Sequence, residues 1–507
     1  MLAMMFLYPV NYGFDEPQHF DMAYAYAQGH GPYAPGKRDV GLGILHEMID
    51  AFHGIPPSPH FADRPLLARP YRQSIAALGG DSQQAHVPNQ MVQHPPLYYL
   101  LGAGLLDLPG VSSLAYDLQF SVLRFLSLVL LLPIPWLCFA TARRLGAGQL
   151  APAAAVVPLL LPALARAGAA VTNDSLMTLT GAIALYLMTR VVTGDARQRT
   201  ATWLVVTVLA ALLTKGFALI LPLLAVLAYL VCWRRYALNV LRPLVTVCIG
   251  SVAGGIWWAH NYLAYGAIQP DGFGPGYLDR AYHLISPGPG GPVTEFLHKL
   301  VLALTDRFWG SIGLIESPDY NWTFVTIATV IMLGLIVVAL VRGLGGPYGR
   351  AALVIPLLMA VLTVGLLVFP SWGVYHKYGL LAGAQGRYLY PAISSLAATA
   401  VLGLSRISSG RARRYVAPVL VGCAAYAQLW TLRTVVHAWW MSSHPVTTLS
   451  AWRNAIDTMF NWAPWPIGVT IVFAVLILAA SGHLVYAAIR HPLDAVADHR
   501  PAPSPTA

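Results

Sequence analysis

Residues 200–234 read TATWLVVTVLAALLTKGFALILPLLAVLAYLVCWR, an apolar run broken by Thr214-Lys215-Gly216. As one helix it would be about 50 Å long at about 1.5 Å per residue, against a hydrocarbon core of about 30 Å. Two shorter helices with Lys215 at the turn fit the bilayer better. The same criterion, roughly 20 apolar residues per span, gives eleven candidates. Around this pair (200–214 and 216–234) lie 118–142, 149–167, 173–192, 239–262, 321–342, 350–370, 388–405, 414–436 and 466–489. The N-terminal stub Leu2–Val10 would make a twelfth if completed. The whole chain agrees: of 507 residues, 57% are hydrophobic and only 10% charged. Soluble proteins carry about 25% charged residues, so a soluble globular enzyme, a disordered scaffold and a conventional nucleic-acid binder are excluded. Cys138, Cys232, Cys248 and Cys423 lie in apolar stretches with no metal or disulfide spacing and read as small core residues. The expected class is an all-α, multi-pass membrane protein whose long external loops carry short interfacial helices.

Sidedness follows from the basic residues. Six short segments, from Arg143/Arg144 to a tail with Arg490 and Arg500, hold 16 of the 31 Lys and Arg but only three acids. Such loops face the cytoplasm. Every long loop then falls on the other face: Phe14–Gln93, Ala264–Asn321, Ser371–Tyr388 and Val436–Pro466. The net charge of +10 is thus read as orientation. Residues 1–490 are read as one integral domain, with external loops at about 14–95 and 264–321, and 491–507 as a disordered cytoplasmic tail. Pro95–Leu108 is apolar but short and reads as interfacial or re-entrant. Leu2–Val10 lacks a basic n-region and a cleavage site, and reads as a truncated first helix or a start placed too late.

Polar groups at the ends of spans are the functional suspects, because burying them is costly. Asp15-Glu16-Pro17-Gln18-His19 follows the N-terminal stub. Its paired carboxylates suit general-base work, and Asp15, Glu16 and His19 are candidate ligands of a divalent metal. An Asp before Glu-Pro is equally a helix N-cap, and both readings stand. His46, Asp50 and His53 share a helical face, for which a solvated surface is preferred over a metal site. His94, in Gln93-His94-Pro95-Pro96-Leu97-Tyr98-Tyr99, exceeds what an aromatic anchor needs. Asn173 and Asp174 read first as helix caps. Lys215 either meets a lipid phosphate or snorkels to the headgroups. His376 and Lys377 precede Gln385-Gly386-Arg387-Tyr388, where Arg387 could grip a phosphate and Gly386 allow close approach.

Assembled, these pieces resemble the polyprenyl-phosphate-sugar-dependent GT-C glycosyltransferases, especially bacterial relatives of protein mannosyltransferases and aminoarabinose transferases. Besides the motifs above, Leu212-Leu213-Thr214-Lys215, Trp257-Trp258-Ala259-His260-Asn261-Tyr262, Tyr265-Gly266 and Phe308-Trp309-Gly310-Ser311-Ile312-Gly313 carry the likeness. The resemblance implies Asp15 as catalytic base, with Glu16 positioning the acceptor or a metal. It gives the lipid phosphate to Lys215 and Arg387, then Lys377 and His376, with His94, Gln385 and Tyr388 as further substrate contacts. His260 stands where an Arg is expected beside Asn261, and no role is carried to it. The implied reaction is inverting transfer, on the external face of the cell membrane, from a polyprenyl-phosphate sugar to a glycan, lipid or protein acceptor. It involves no nucleic acid and no cofactor beyond that candidate metal. A lipid or small-molecule transporter or flippase is the competing reading. It would explain buried cations and broken helices, but no internal repeat of the kind common in transporters is found. A non-catalytic envelope scaffold is a third.

Overall fold

Twenty α-helices account for most of the computed structural model, which describes residues 1–52, 69–84, 86–310, 322–342, 349–442, 447–462, 465 and 467–490. In chain order they are α1 (Leu2–Leu7), α2 (Glu16–Ala27), α3 (Leu42–Phe52), α4 (Leu97–Leu106), α5 (Tyr116–Leu131), α6 (Ile134–Arg144) and α7 (Ala153–Val156). Next come α8 (Pro162–Ala167), α9 (Asp174–Val192), α10 (Gln198–Leu212), α11 (Ile220–Tyr236), α12 (Leu241–Tyr265), α13 (Tyr277–Ile285) and α14 (Val293–Trp309). The last are α15 (Trp322–Arg342), α16 (Ala351–Tyr378), α17 (Ile393–Ile407), α18 (Gly410–Val435), α19 (Thr448–Trp462) and α20 (Ile467–Arg490). Among the described residues the sole β pairing is one bridge between Asp39 and Pro88. The protein is an all-helical, multi-pass membrane protein.

Eight of the described segments are long and apolar enough to cross a membrane: 116–144, 174–192, 216–236, 241–265, 322–342, 351–378, 386–407 and 410–440. Two expected spans fall short, each for a local reason. Pro152, Pro158 and Pro162 break 149–167 into one-turn pieces, α7, a 3₁₀ turn at Val157–Leu160 and α8, because proline supplies no amide to the helix ladder. The run 200–214 forms α10, whose 15 residues give about 22 Å of helix. It ends before Lys215, and a 3₁₀ turn at Gly216–Leu219 leads into α11. The last expected span appears as the 24-residue α20. Pro95–Leu108 holds only the 10-residue α4. His53, Ser311 to Gly313 and 491–507 lie outside the described residues, while His46 bonds the Leu78 carbonyl through Nδ1 at 2.7 Å.

Helix α9 is the axis of the fold, surrounded by α5, α6, α10, α11, α16 and α17. With its 19 residues it separates two polar ends by about 28 Å. At its C-terminal end Arg144 bonds Thr193 and Tyr236 bonds the Val192 carbonyl, which gathers the short basic loops on one side. At its N-terminal end Asp174 meets Lys215 and Arg387. α2 reaches that second end packed mainly on α4, with Phe20 stacked on Phe120 of α5 at a centroid separation of 4.0 Å.

Candidate active site

Asp15 occupies the N-cap position of α2, yet its carboxylate makes no capping hydrogen bond. Its backbone is left-handed (φ 53°, ψ 27°), a region sparsely used outside glycine and tolerated by Asp. That twist turns the side chain out of the helix. Oδ1 accepts from Gln90 Nε2 at 3.1 Å, and Oδ2 lies 3.6 Å from Arg387 Nη2. The carboxylate keeps 37% of its exposure. Asp15 is thus the N-cap by position, without the side-chain hydrogen bond of a cap.

Glu16 has a different place from the one expected of it. Its side chain is fully buried, and Arg124 of α5 grips both oxygens at 2.7 Å. The amides of Val171 and Gly13 donate to the same carboxylate. A carboxylate so occupied has no capacity left for an acceptor or a cation. It locks the Gly13–Glu16 turn and thereby holds Asp15. Arg124 also donates to the Tyr8 and Pro9 carbonyls, fixing the chain that enters the turn. His19 is likewise committed, its Nδ1 3.0 Å from the Tyr99 hydroxyl. Asp15, Glu16 and His19 therefore do not form a ligand set. Among the described residues, no three His, Cys, Asp or Glu side chains are arranged to hold a metal ion.

Around Asp15 the chain collects charge from far apart in sequence. Asp174 is buried, and its two oxygens face Lys215 Nζ and Arg387 Nε, the latter at 3.0 Å. Asn173 makes no cap either, since Oδ1 accepts from Lys215 at 3.3 Å. The capping expected of this pair is thus replaced by an ion-pair role. Lys215 does not snorkel: it is buried, and its ammonium stands 4.8 Å from the Tyr388 ring. Arg387 lies against the Phe14 ring at 3.8 Å. Its Nη1 is closed to solvent without a hydrogen-bond partner, and so is the acceptor Gln385 Oε1. Buried polar groups are nearly always hydrogen-bonded in folded proteins, which makes Arg387 Nη1 the donor of this cluster that can take an acceptor.

The aromatic wall is built by α4 and α2. His94 stacks on His19 with centroids 6.3 Å apart, and its Nδ1 is another buried atom without a partner. Burial, then the charge of Lys215, pushes His19 down to about 3, and the same causes hold His94 well below the usual histidine range. Both rings are neutral at pH 7. Gly386 gives close approach, but to helix α14: a Cβ there would lie 2.1 Å from the Leu304 carbonyl oxygen. Lys377 and His376 stand apart from the cluster. Lys377 Nζ donates to Asp279 of α13 at 2.7 Å, and the exposed His376 ring packs near Trp372.

An apolar groove of about 400 Å³ adjoins the chain segment that carries Arg387. It runs between Met332, Leu333 and Ile336 of α15 and Leu357, Val361 and Val364 of α16, with Leu389, two residues from Arg387, at its edge. The spacings i, i+1, i+4 and i, i+4, i+7 put each trio on one side of its helix.

Residues 93–258 match the family model of dolichyl-phosphate-mannose-protein mannosyltransferases. Over that third of the chain the protein resembles this family. The mannosyltransferase-like segment contains His94, Arg124, Asp174 and Lys215, while Asp15 and Arg387 lie outside it. Two solved structures are similar in outline. The ArnT structure from Cupriavidus metallidurans bound to undecaprenyl phosphate is 14% identical, with 89% of this chain and 76% of that chain covered and a TM-score of 0.41. An apo oligosaccharyltransferase from Archaeoglobus fulgidus is 12% identical, with 90% of this chain covered, 53% of that chain and a TM-score of 0.40. No curated protein matches the sequence.

Sequence reasoning missed Arg124, Gln90 and the ion-pair role of Asp174. Arg124 had a signal: it is an arginine inside the expected span 118–142, where an ionisable group should have a partner.

Proposed function

We propose that the protein is an inverting glycosyltransferase that moves a sugar from a polyprenyl-phosphate donor to an acceptor hydroxyl. The carrying observation is the juxtaposition of a partly exposed carboxylate, Asp15, with a buried arginine whose Nη1 has no hydrogen-bond partner. In this reading the donor phosphate takes Arg387 Nη1, with Lys215 as a nearby point charge. The polyprenyl chain lies in the apolar groove that Leu389 helps to line. Asp15 takes the proton of the acceptor hydroxyl as its oxygen bonds to the anomeric carbon. The carbon–oxygen bond to phosphate breaks, and its electron pair leaves on the phosphate. That charge is what preorganised cations stabilise best. A single base without a covalent intermediate gives inversion. His94, Gln385 and Tyr388 line the same place, and Asp174 orients the two cations. Because the acidic and phosphate-binding groups sit at the pole opposite the short basic loops, the site faces the exterior of the cell membrane. The C-terminus is then cytoplasmic.

The test is an Asp15→Asn variant, reconstituted in liposomes with labelled polyprenyl-phosphate sugar and a mixture of glycan, lipid and peptide acceptors. Transfer should fall by about 10²–10⁴-fold, the usual contribution of a general base, with lipid binding kept. Undiminished transfer in the variant sinks Asp15 as the base. Movement of labelled lipid across the bilayer, without transfer by the wild type, replaces this reading with a flippase.

A further inference from the structure

A second cavity, of about 210 Å³, lies where the first long loop meets the end of α12. Tyr33, Trp257, His260 and Tyr265 bring four rings to its wall, and Asn261 adds an amide. No Lys, Arg, Asp or Glu lines it, while Pro32, Pro35 and Pro270 contribute walls without amide donors. Its volume is below the roughly 300 Å³ at which drug-sized pockets begin, which fits one small unit of a larger molecule. Trp257 also carries an indole N–H that is closed to solvent and finds no acceptor. This lining selects a neutral ligand having apolar C–H faces for the rings and oxygens for the Asn261 amide. A phosphate or carboxylate would find no Lys or Arg here.

The cavity shares two chain segments with the charged cluster. Val92 lines it, two residues after Gln90, which donates to Asp15. Pro270 lines it as well, and its neighbour Gln269 donates to Gln93 at 3.3 Å. Gly272 clamps this loop onto the other, because a Cβ there would lie 2.0 Å from the Gln90 carbonyl oxygen. Asn261 completes the frame by donating to the Ile268 carbonyl at 3.3 Å.

We infer that this cavity holds a neutral sugar ring of a glycan acceptor, so that the adjoining hydroxyl reaches Asp15. The inference rests on the transferase reading and narrows its acceptor class. The acceptor hydroxyl gives its proton to Asp15, its oxygen bonds to the anomeric carbon of the donor sugar, and phosphate leaves with the electrons of the broken bond.

Binding is measured separately from turnover. The full chain in nanodiscs is examined by saturation-transfer NMR against methyl pyranosides of glucose, galactose, mannose and N-acetylglucosamine, and against a Ser/Thr-rich peptide. At least one pyranoside should bind the wild type. Its signal should fall at least fivefold in Trp257→Ala and in Tyr265→Ala, and persist in Asp15→Asn. Tyr265 is exposed at the helix end, so its removal tests the site even if Trp257→Ala fails to fold. A wild type that binds no pyranoside, or binds it equally in both cavity variants, overturns the inference. Binding of the peptide in place of sugars does so too. Since Asp15→Asn decides the chemistry and the cavity variants decide the sugar, the two failures cannot be confused.

Discussion

Helix α9 is flanked by two aspartates with opposite manners. Asp195, just beyond its C-terminal end, is surrounded by its own neighbours in sequence. Arg190 donates through Nε at 3.0 Å, Arg197 through Nε at 2.9 Å and its amide at 3.2 Å, and Thr200 through its hydroxyl at 3.0 Å. Burial opposes the charge, but the hydrogen bonds from Arg197 and Arg190 outweigh it and hold the carboxyl below its ordinary range. Every partner is within five residues. Asp174, at the other end, draws Lys215 and Arg387 from 41 and 213 positions away. That pairing leaves Arg387 Nη1 without a hydrogen bond. A local, saturated ion cluster finishes a loop. A long-range, unsaturated one assembled in a dry place needs another molecule to complete it, and that difference separates scaffold from site.

The comparison breaks most sharply at Arg387. Arg387→Met should cut transfer by about 10²–10³-fold, the scale for loss of one preorganised donor to a developing charge. Arg387→Lys should remain at least tenfold impaired, because an ammonium cannot reproduce the planar fork. Both are read as initial rates in liposomes. Near-normal turnover in Arg387→Met would mean that the unsaturated cluster is only structural.

Next in size is the support beneath Asp15. Arg124→Leu leaves Glu16 buried with its charge uncompensated, a loss of about 3–5 kcal/mol when one partner of a buried pair is removed. The thermal unfolding midpoint in detergent should drop steeply, and Arg124→Leu combined with Glu16→Gln should recover much of it. If the double variant remains as unstable as the single, the Arg124 contacts to the Tyr8 and Pro9 carbonyls matter more than the charge pair.

These two residues show how far the sequence could be read. Spans and sidedness were legible because a 20-residue apolar run and a bias of arginines are local signals. Asp15, Lys215 and Arg387 were legible as rare charges at span ends. Their partners were not. Whether Glu16 or Asp15 faces outward depends on one left-handed residue, and helical periodicity carries no sign of that twist. Lys377 and Arg387 look equivalent in the chain, but the α13 loop claims Lys377 through Asp279. The proline breaks in 149–167 were visible in the sequence and lost to its hydropathy.

A pH dependence sharpens the contrast further, since His19 and His94 are neutral and buried near the cations. Their folded pKa values lie below the unfolded value of about 6.5. Below that pH the unfolded chain takes up protons that the folded protein does not, so stability falls as pH drops. The loss continues towards pH 3 for His19, with a slope of up to about 1.4 kcal/mol per pH unit for each histidine. Unfolding midpoints measured from pH 7 to pH 5 should decline, and His94→Gln should flatten the curve. An unchanged slope in that variant would mean that His94 is protonated in the fold.

The smallest effect belongs to the saturated end of α9. Arg197 is 72% exposed on its side chain, and Asp195 keeps Arg190 and Thr200 without it. Arg197→Ala should therefore leave the transfer rate unchanged, in the same assay that Arg387→Met nearly silences. The paired result is informative because both arginines contact an aspartate beside one helix and carry the same charge. If electrostatics alone set their importance, the two variants would behave alike. Solvent reaches Arg197 and supplies a substitute for what it donates, whereas nothing in the protein substitutes for Arg387. A drop in transfer for Arg197→Ala would show that the two ends of α9 are coupled, and that the local cluster does more than finish a loop.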